Sequence, residues 1–296
     1  MFLARIKCDD GRTVLAARVD AHRLVLLDGI PGVTDDALES IDAVGLAKLQ
    51  ILADERASSA EAAIVDEHEA CFDVPIPRPQ KIICVALNYA DHAAEGDQPV
   101  PEEPVIFFKP PSALLPHQGV VRNPARSQRL DYEVELAVVI GRRATNVAAA
   151  EWRGVVAGYT VLNDVTARDM QLVAIGRNQP WDHSKAFDTF APCGPYLVTL
   201  DEVDNPMDLA LTLNVDDEVR QSSRTSHMIF DIGQLIEVIS KNITLEVGDI
   251  IATGTPSGIG PVAPGQVMTA EVEGIGRLVN TVVYERIGVA VPDLVS

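Results

Sequence analysis

The stretch from Asp131 to Ile140 constrains this chain more than any other, because it puts acidic side chains on a strand built for burial. Residues two apart on a β-strand share a face, so Asp131, Glu133 and Glu135 point the same way. The alanine, valine and isoleucine residues that follow are typical of a strand inside a hydrophobic core. Burying neighbouring carboxylates without a positive partner is costly. We therefore expect a cation against them; the alternative is an edge strand with a solvated acidic face.

Composition limits the classes of partner and compartment. The 296 residues are enough for one or two domains with a full core. No apolar run reaches the ~18 residues of a membrane helix, and charges interrupt the N-terminal segment where a signal peptide needs an apolar centre. We therefore predict a cytoplasmic protein. The net charge of −19 argues against nucleic acids and anionic membranes as partners.

A proline-rich linker after residue 74 predicts two domains. Before it, alternating residues predict a β-hairpin with strands at 3–8 and 13–19, and helical spacing covers much of 34–70. These features predict a small N-terminal α+β domain over 1–74. Short strands dominate the remainder, so we predict a β-rich catalytic domain over 75–296, and an α+β, β-rich fold class for the whole chain.

A third carboxylate, Asp164, ends a predicted apolar strand and could meet Glu133 and Glu135. The alternative is that Asp164 caps the helix that follows, a frequent role of aspartate. Lys185 is one of only six lysines and lies beside phenylalanine residues. We predict a functional role for it, with a solvated surface lysine as the alternative.

His92 and Glu95 stand three residues apart in a predicted short helix and so lie within mutual reach. A carboxylate beside a histidine can turn water into a nucleophile. Gly96 and Pro99 follow and suit a mobile lid. The alternative is an exposed surface pair on a mobile segment.

The glycine-rich segment 254–260 matches neither a P-loop nor a dinucleotide-binding fingerprint. It predicts a turn that offers backbone N–H groups to a carboxylate.

Six segments, in one order, resemble the fumarylacetoacetate hydrolase family over roughly residues 78–285: LNYADHAAE, FFKPPSA, DYEVELAVVIGR, LNDVTARDMQ, SKAFDTFAPCGP and GDIIATGTPSGIG. The resemblance implies a mixed β-roll catalytic domain beside the small N-terminal domain, and a homodimer. The departures are peripheral: Cys193 in the fifth segment, and an N-terminal domain without a distinctive motif.

The resemblance also implies roles for individual residues. The metal ligands would be Glu133, Glu135 and Asp164, holding Mg²⁺ or Mn²⁺, with Ca²⁺ as a further hard cation. The catalytic residues would be His92, Glu95 and Lys185, the first two activating water. The substrate-binding residues would be Lys109, Arg168, Gln171 and Thr255.

The implied reaction is metal-dependent hydrolysis of a carbon–carbon bond in a small anionic 2-keto or 2,4-diketo acid. An acylpyruvate or a diketo-deoxy acid would give pyruvate, or a similar 2-keto acid, and a carboxylic acid. Two alternatives use the same chelate: decarboxylation of oxaloacetate, and isomerisation of a 5-carboxymethyl-2-hydroxymuconate-type acid. A non-enzymatic alternative is a structural protein whose carboxylates bind a metal.

Overall fold

Strands dominate the structure, a computed structural model that describes residues 1–59 and 62–285. Within those ranges the strands are, in chain order, β1 (Phe2–Lys7), β2 (Thr13–Arg18), β3 (Arg23–Leu26), β4 (Ile64–Asp66), β5 (Phe72–Asp73), β6 (Ile82–Ala86), β7 (Val105–Lys109), β8 (Leu114–Leu115), β9 (Val120–Asn123), β10 (Leu130–Tyr132), β11 (Val134–Ile140), β12 (Val156–Asn163), β13 (Thr166–Ala167), β14 (Ala191–Thr199), β15 (Ala210–Val215), β16 (Glu218–Arg224), β17 (Ile250–Ala252), β18 (Gly260–Pro261), β19 (Val267–Val272) and β20 (Gly276–Tyr284). The α-helices there are α1 (Ala37–Val44), α2 (Leu46–Ser58), α3 (Ala90–Glu95), α4 (Arg168–Gly176) and α5 (Ile232–Asn242). Each of these helices is too short or too polar to cross a lipid bilayer.

A twelve-stranded sheet runs through the molecule in the order β4-β3-β2-β1-β14-β12-β11-β17-β6-β7, with β5 beside β1 and β8 beside β14. The N-terminal strands join it where Phe2 and Leu3 pair with Val198 and Leu197. The N-terminal unit therefore extends the same sheet, and the predicted boundary after residue 74 falls on the connection between β5 and β6.

Two smaller sheets complete the β structure, in the orders β13-β10-β18 and β16-β15-β19-β20-β9. Strand β11 lies between β12 and β17 in the large sheet, and every one of its residues is buried. Val134, Leu136 and Val138 face one hydrophobic cluster, whereas Ala137 and Val139 face another. The alternative of an edge strand with a solvated acidic face is therefore wrong.

Local sequence patterns explain several elements. The predicted N-terminal hairpin is confirmed as β1 and β2. The helical spacing within 34–70 is confirmed as α1 and α2, but Ile64–Asp66 forms β4 instead of helix. Helix α5 begins with a capping box, in which Asp231 and Gln234 satisfy each other's backbone N–H groups. One expectation needs correction: the acidic stretch is two strands in different sheets, interrupted at Glu133. At the break the Glu133 N–H donates to the side-chain oxygen of Asn163, at 2.9 Å, instead of to a backbone carbonyl of a neighbouring strand.

Candidate active site

Three buried carboxylates meet at the start of β11. Oxygen atoms of Glu133, Glu135 and Asp164 all lie within 4.8 Å of one another. The antiparallel register explains the meeting: Val134 pairs with Asn163, and the Asp164 N–H donates to the Glu133 carbonyl at 2.8 Å. Asp164 does not cap a helix, because α4 begins only at Arg168.

Two buried lysines contact this carboxylate triad. Lys185 Nζ donates to Glu133 at 2.7 Å and also to Asp164. Lys109 Nζ donates to the other Asp164 oxygen at 2.5 Å and to the Val165 carbonyl at 3.1 Å. Lys185 is only 3% exposed, so the alternative of a solvated surface lysine is wrong.

A buried arginine adds a third positive charge. Arg168 donates from its Nη atoms to Glu133 and to Gln171, and from Nε to Asp131 at 2.9 Å. Asp131 is fully buried and also binds Arg129, at 2.8 Å. Although Asp131 shares a sequence pattern with the triad, it serves as the carboxylate partner of Arg168 and Arg129.

The surroundings shift the pKa values of Glu133 and Glu135 in opposite directions. Burial opposes the charge of Glu133, but Lys185 and Arg168 outweigh it and hold the pKa of that carboxyl below its usual range. Burial, with repulsion from Asp164 and Glu133, raises the pKa of Glu135 well above its usual range. Among the described residues, the hydrogen-bond donor to Glu135 is a single backbone group, the N–H of Gly254 at 2.8 Å.

This donor set fits a hard divalent cation. The triad offers carboxylate oxygens in a water-poor setting, and Glu135 has no cationic side chain within ion-pair distance in the described part of the chain. Mg²⁺, Mn²⁺ and Ca²⁺ all prefer oxygen ligands of this kind. A divalent ion would also offset the repulsion that the buried carboxylates exert on one another.

Helix α3 brings His92 and Glu95 to the same region. His92 Nδ1 lies 3.3 Å from Glu95 Oε2, and both Glu95 oxygens accept the Gly258 N–H, at 3.1 and 3.2 Å. The side chain of His92 is 13% exposed and that of Glu95 33%. Glu95 is thereby tied to the loop whose Gly254 N–H donates to Glu135 of the triad.

The glycine-rich loop connects helix α3 to the triad. The prediction of a turn that presents N–H groups to carboxylates is confirmed, since Gly254 donates to Glu135 and Gly258 to Glu95. Gly254 has φ +99°, and a Cβ there would lie 2.7 Å from the Cβ of Asn88. The Thr255 hydroxyl donates to the Val134 carbonyl at 2.9 Å. The predicted contact of Thr255 with substrate would therefore be made by the backbone of the loop.

Sequence reasoning missed a buried glutamine that holds this loop in place. Gln221 is fully buried in β16; its Oε1 accepts the Val134 N–H, and its Nε2 donates to Thr255 Oγ1 and the Pro256 carbonyl. The three distances are 3.0, 2.8 and 2.9 Å. No local pattern distinguishes Gln221 from the other polar residues of its strand.

The fold and the triad define a β-rich protein with a buried cluster of three carboxylates, of the kind that binds metal ions. Residues 81–283 match the family described as fumarylacetoacetate (FAA) hydrolase C-terminal, and the chain belongs to that family. The predicted family and fold class are thereby confirmed.

Three relatives show the range within the family. The mitochondrial oxaloacetate tautomerase FAHD2A of Bos taurus is 44% identical over 237 residues, which cover 77% of this chain and 74% of the relative. A 5-carboxymethyl-2-hydroxymuconate delta-isomerase structure from Mycobacterium smegmatis is 36% identical, with TM-score 0.77, covering 96% of this chain and 99% of its own. A maleylpyruvate hydrolase structure from Sphingobium sp. SYK-6, in complex with manganese(II) and pyruvate, is 32% identical, with TM-score 0.77, covering 97% of this chain and 100% of its own.

Proposed function

We propose that this chain is a metal-dependent hydrolase that cleaves a carbon–carbon bond in a 2,4-diketo acid, of the acylpyruvate or diketo-deoxy acid type. The observation that carries the proposal is the pairing of two sites: a buried carboxylate triad, and a histidine–carboxylate pair on a helix beside it. The first can hold a metal that chelates a keto acid, and the second can activate water.

Glu133, Glu135 and Asp164 would hold Mg²⁺ or Mn²⁺, with Ca²⁺ as a further hard cation. When bound, the ion supplies Lewis-acid polarisation of the substrate's 2-oxo and carboxylate groups. The manganese(II) and pyruvate of the Sphingobium structure support this assignment by similarity.

The protein's own residues would then carry the remaining steps. Lys109, Arg168 and Gln171 would bind the anionic groups of the substrate, and the backbone of the Thr255 loop its carboxylate. Glu95, oriented by His92, would take a proton from water as the water oxygen attacks the distal carbonyl carbon. The bond between that carbon and the methylene carbon then breaks, and the buried ammonium of Lys185 would stabilise the negative charge on the departing 2-keto acid. Protonation of the methylene carbon gives pyruvate, and the distal fragment leaves as a carboxylic acid.

The test is a substrate panel with metal control. Acylpyruvates, a diketo-deoxy sugar acid and oxaloacetate are each incubated with Mg²⁺, with Mn²⁺ or with a chelator. We expect metal-dependent pyruvate release from an acylpyruvate, with one oxygen from ¹⁸O-labelled water in the carboxylic acid product. Absence of pyruvate release from every acylpyruvate and diketo acid, with either metal, would contradict the proposal.

A second candidate is keto–enol tautomerisation of oxaloacetate, which the 44% identity to the bovine tautomerase favours. This reaction needs the chelated keto acid and proton transfer at the methylene carbon, but no added water. It would appear as a metal-dependent change in the ultraviolet absorbance of the enol, without release of a new acid. Loss of that signal on chelation would support it.

Homodimeric assembly belongs to the same proposal. Helix α4, which carries Arg168 and Gln171, exposes Leu172, Val173 and Ile175 by about half of each residue. A second copy covering this patch would remove apolar surface from water. Light scattering on the purified protein measures the assembly directly.

A further inference from the structure

Helix α3 is firmly anchored at the end where it begins. Asn88, fully buried, donates from Nδ2 to the carbonyls of Phe230 and Thr253, at 3.0 and 2.7 Å. Its Oδ1 accepts the Phe230 N–H at 2.8 Å. Three hydrogen bonds to the backbone of Phe230 and Thr253 fix this residue, so motion of the helix would pivot about it.

The other end of the helix has no comparable anchor. Residues 96–104 are exposed or half-exposed. Within the described part of the chain, the hydrogen bonds of this segment reach only residues 92–98. The segment forms no regular backbone hydrogen-bond ladder before β7, because it contains Gly96, Pro99, Pro101 and Pro104. The position of α3 therefore depends on contacts that the helix itself makes.

Two adjacent contacts join α3 to the glycine-rich loop. Ser257 Oγ donates to Asp91 Oδ2 at 2.8 Å, and the Gly258 N–H donates to Glu95. Asp91 and Glu95 lie four residues apart, so they share one helical face. Consecutive loop residues therefore bind consecutive turns of the helix.

The loop is a fixed support for these contacts. Gly258 has φ +98°, and a Cβ there would lie 2.2 Å from the Arg220 carbonyl oxygen, so the loop packs directly on β16. Gln221 holds the loop just before Ser257, because its Nε2 donates to the Pro256 carbonyl at 2.9 Å. Because β16 holds the loop in place, helix α3 can move away from the loop only if both contacts break.

We propose that Asp91 and Ser257 form a latch that keeps α3 closed and thereby positions Glu95 and His92 beside the triad. In this role they are positioning residues, since neither contacts the triad. The effect on turnover rests on the proposed function, because it assumes that Glu95 activates water. The effect on helix closure depends only on the contacts of Asp91, Ser257 and Gly258.

Loss of the latch should raise the open population of the helix. An ordinary intramolecular hydrogen bond contributes enough to shift a closed–open equilibrium by about 3- to 10-fold. Amide hydrogen exchange reports such local opening directly. We therefore expect peptides spanning residues 89–98 to exchange about 3- to 10-fold faster once the bond is removed.

The experiment compares Ser257→Ala, Asp91→Ala, the double variant, Ser257→Thr and Ser223→Ala. Ser223 is the matched control, since its hydroxyl bonds to His227 in the turn that follows β16 and not to helix α3. Exchange is measured by mass spectrometry, and acylpyruvate turnover on the same preparations. We expect faster exchange in both single variants, a double variant no faster than the singles, and values near wild type for Ser257→Thr and Ser223→Ala. The kcat for acylpyruvate turnover should fall as the closed population of the helix decreases, while metal affinity stays constant.

Unchanged exchange in Ser257→Ala, or strictly additive effects in the double variant, would overturn the latch. Faster exchange with unchanged acylpyruvate kcat would overturn the positioning role of the two residues. If the wild-type protein hydrolyses no diketo acid, the proposed function fails, whereas the exchange measurements still decide whether the latch exists.

Discussion

The carboxylate triad and the lid pair, His92 and Glu95 on helix α3, are built in opposite ways, although both depend on acidic side chains. Glu135 and Asp164 are each 1% exposed and sit beside the central strands of the large sheet. Glu95 is an exposed residue, with a side chain that is 33% exposed, on a six-residue helix that polar contacts hold in place. The buried carboxylates therefore need permanent compensation by cations, whereas Glu95 keeps access to water. In the proposed function, the metal ligands stay fixed in the core, and the base that activates water remains accessible to solvent.

Removing one charge from the triad should have the largest effect. In Glu135→Gln the amide oxygen can still accept the Gly254 N–H, so the fold should survive. Changing a residue that only hydrogen-bonds to a metal ligand typically costs about 10- to 100-fold in metal affinity, so loss of a ligand should cost at least about 100-fold. Diketo acid hydrolysis and oxaloacetate tautomerisation should fall together. Calorimetric titration with Mn²⁺ measures the affinity.

The matched control for that variant is Glu271→Gln, which removes an exposed charge from β19. Its metal affinity should equal that of the wild type. Undiminished binding in Glu135→Gln would remove Glu135 from the metal site.

Changing the lid pair should affect one reaction and spare the other. Glu95→Gln removes the water-activating base, and loss of a general base typically lowers the rate by about 10²- to 10⁴-fold. Metal binding and tautomerisation should persist, because neither needs activated water. Kinetics of both reactions on one preparation test this, with Glu102→Gln, an exposed change in the segment after the lid helix, as control. A common factor of loss in both reactions would show that Glu95 serves closure in general.

A half-buried histidine extends the comparison to stability. His117 accepts the Val279 N–H at 3.1 Å and packs edge-on against Phe72. Burial, aided by Arg277, lowers the pKa of His117 from 6.5 to about 4. The unfolded chain therefore takes up a proton at higher pH than the folded one. The stability that this neutral ring provides is complete above pH 6.5 and is lost as the pH falls towards about 4.

His117→Gln should weaken this pH dependence. At 1.36 kcal/mol per pKa unit, the drop in unfolding free energy between pH 7 and pH 5 should be smaller in the variant by up to about 2 kcal/mol. Urea unfolding at both pH values measures it, and the difference between pH values cancels any fixed cost of the substitution. Equal pH dependence in the two proteins would contradict the assignment.

The smallest effect should come from the exposed charges. With a net charge of −19, surface repulsion opposes folding, and added salt screens it, with a Debye length of ~3 Å at 1 M. The melting temperature should hold or rise slightly in molar KCl, while the buried triad is largely unaffected. A marked fall in melting temperature would show that exposed ion pairs contribute more than the repulsion does.

Local patterns in the sequence were sufficient to predict much of the fold and of the candidate site. The alternation in the 131–140 stretch put Glu133 and Glu135 on one face, and the spacing of His92 and Glu95 put them on one helical turn. The inference for His92 and Glu95 depends on the geometry of a single helix. Glu133 lies between two strands, and it reaches Glu135 although the predicted strand is interrupted there. The six ordered segments added the family and the fold class.

Contacts between distant segments needed the tertiary structure. Gln221 binds Val134 across 87 residues, and Lys109 binds Asp164 across 55. Asp131 shares the pattern of Glu133 yet binds Arg168, because the chain leaves one sheet for another at Glu133. Sequence spacing fixes which way a side chain points within its own strand. Which partner it meets depends on strand order and register, and these result from packing the whole chain.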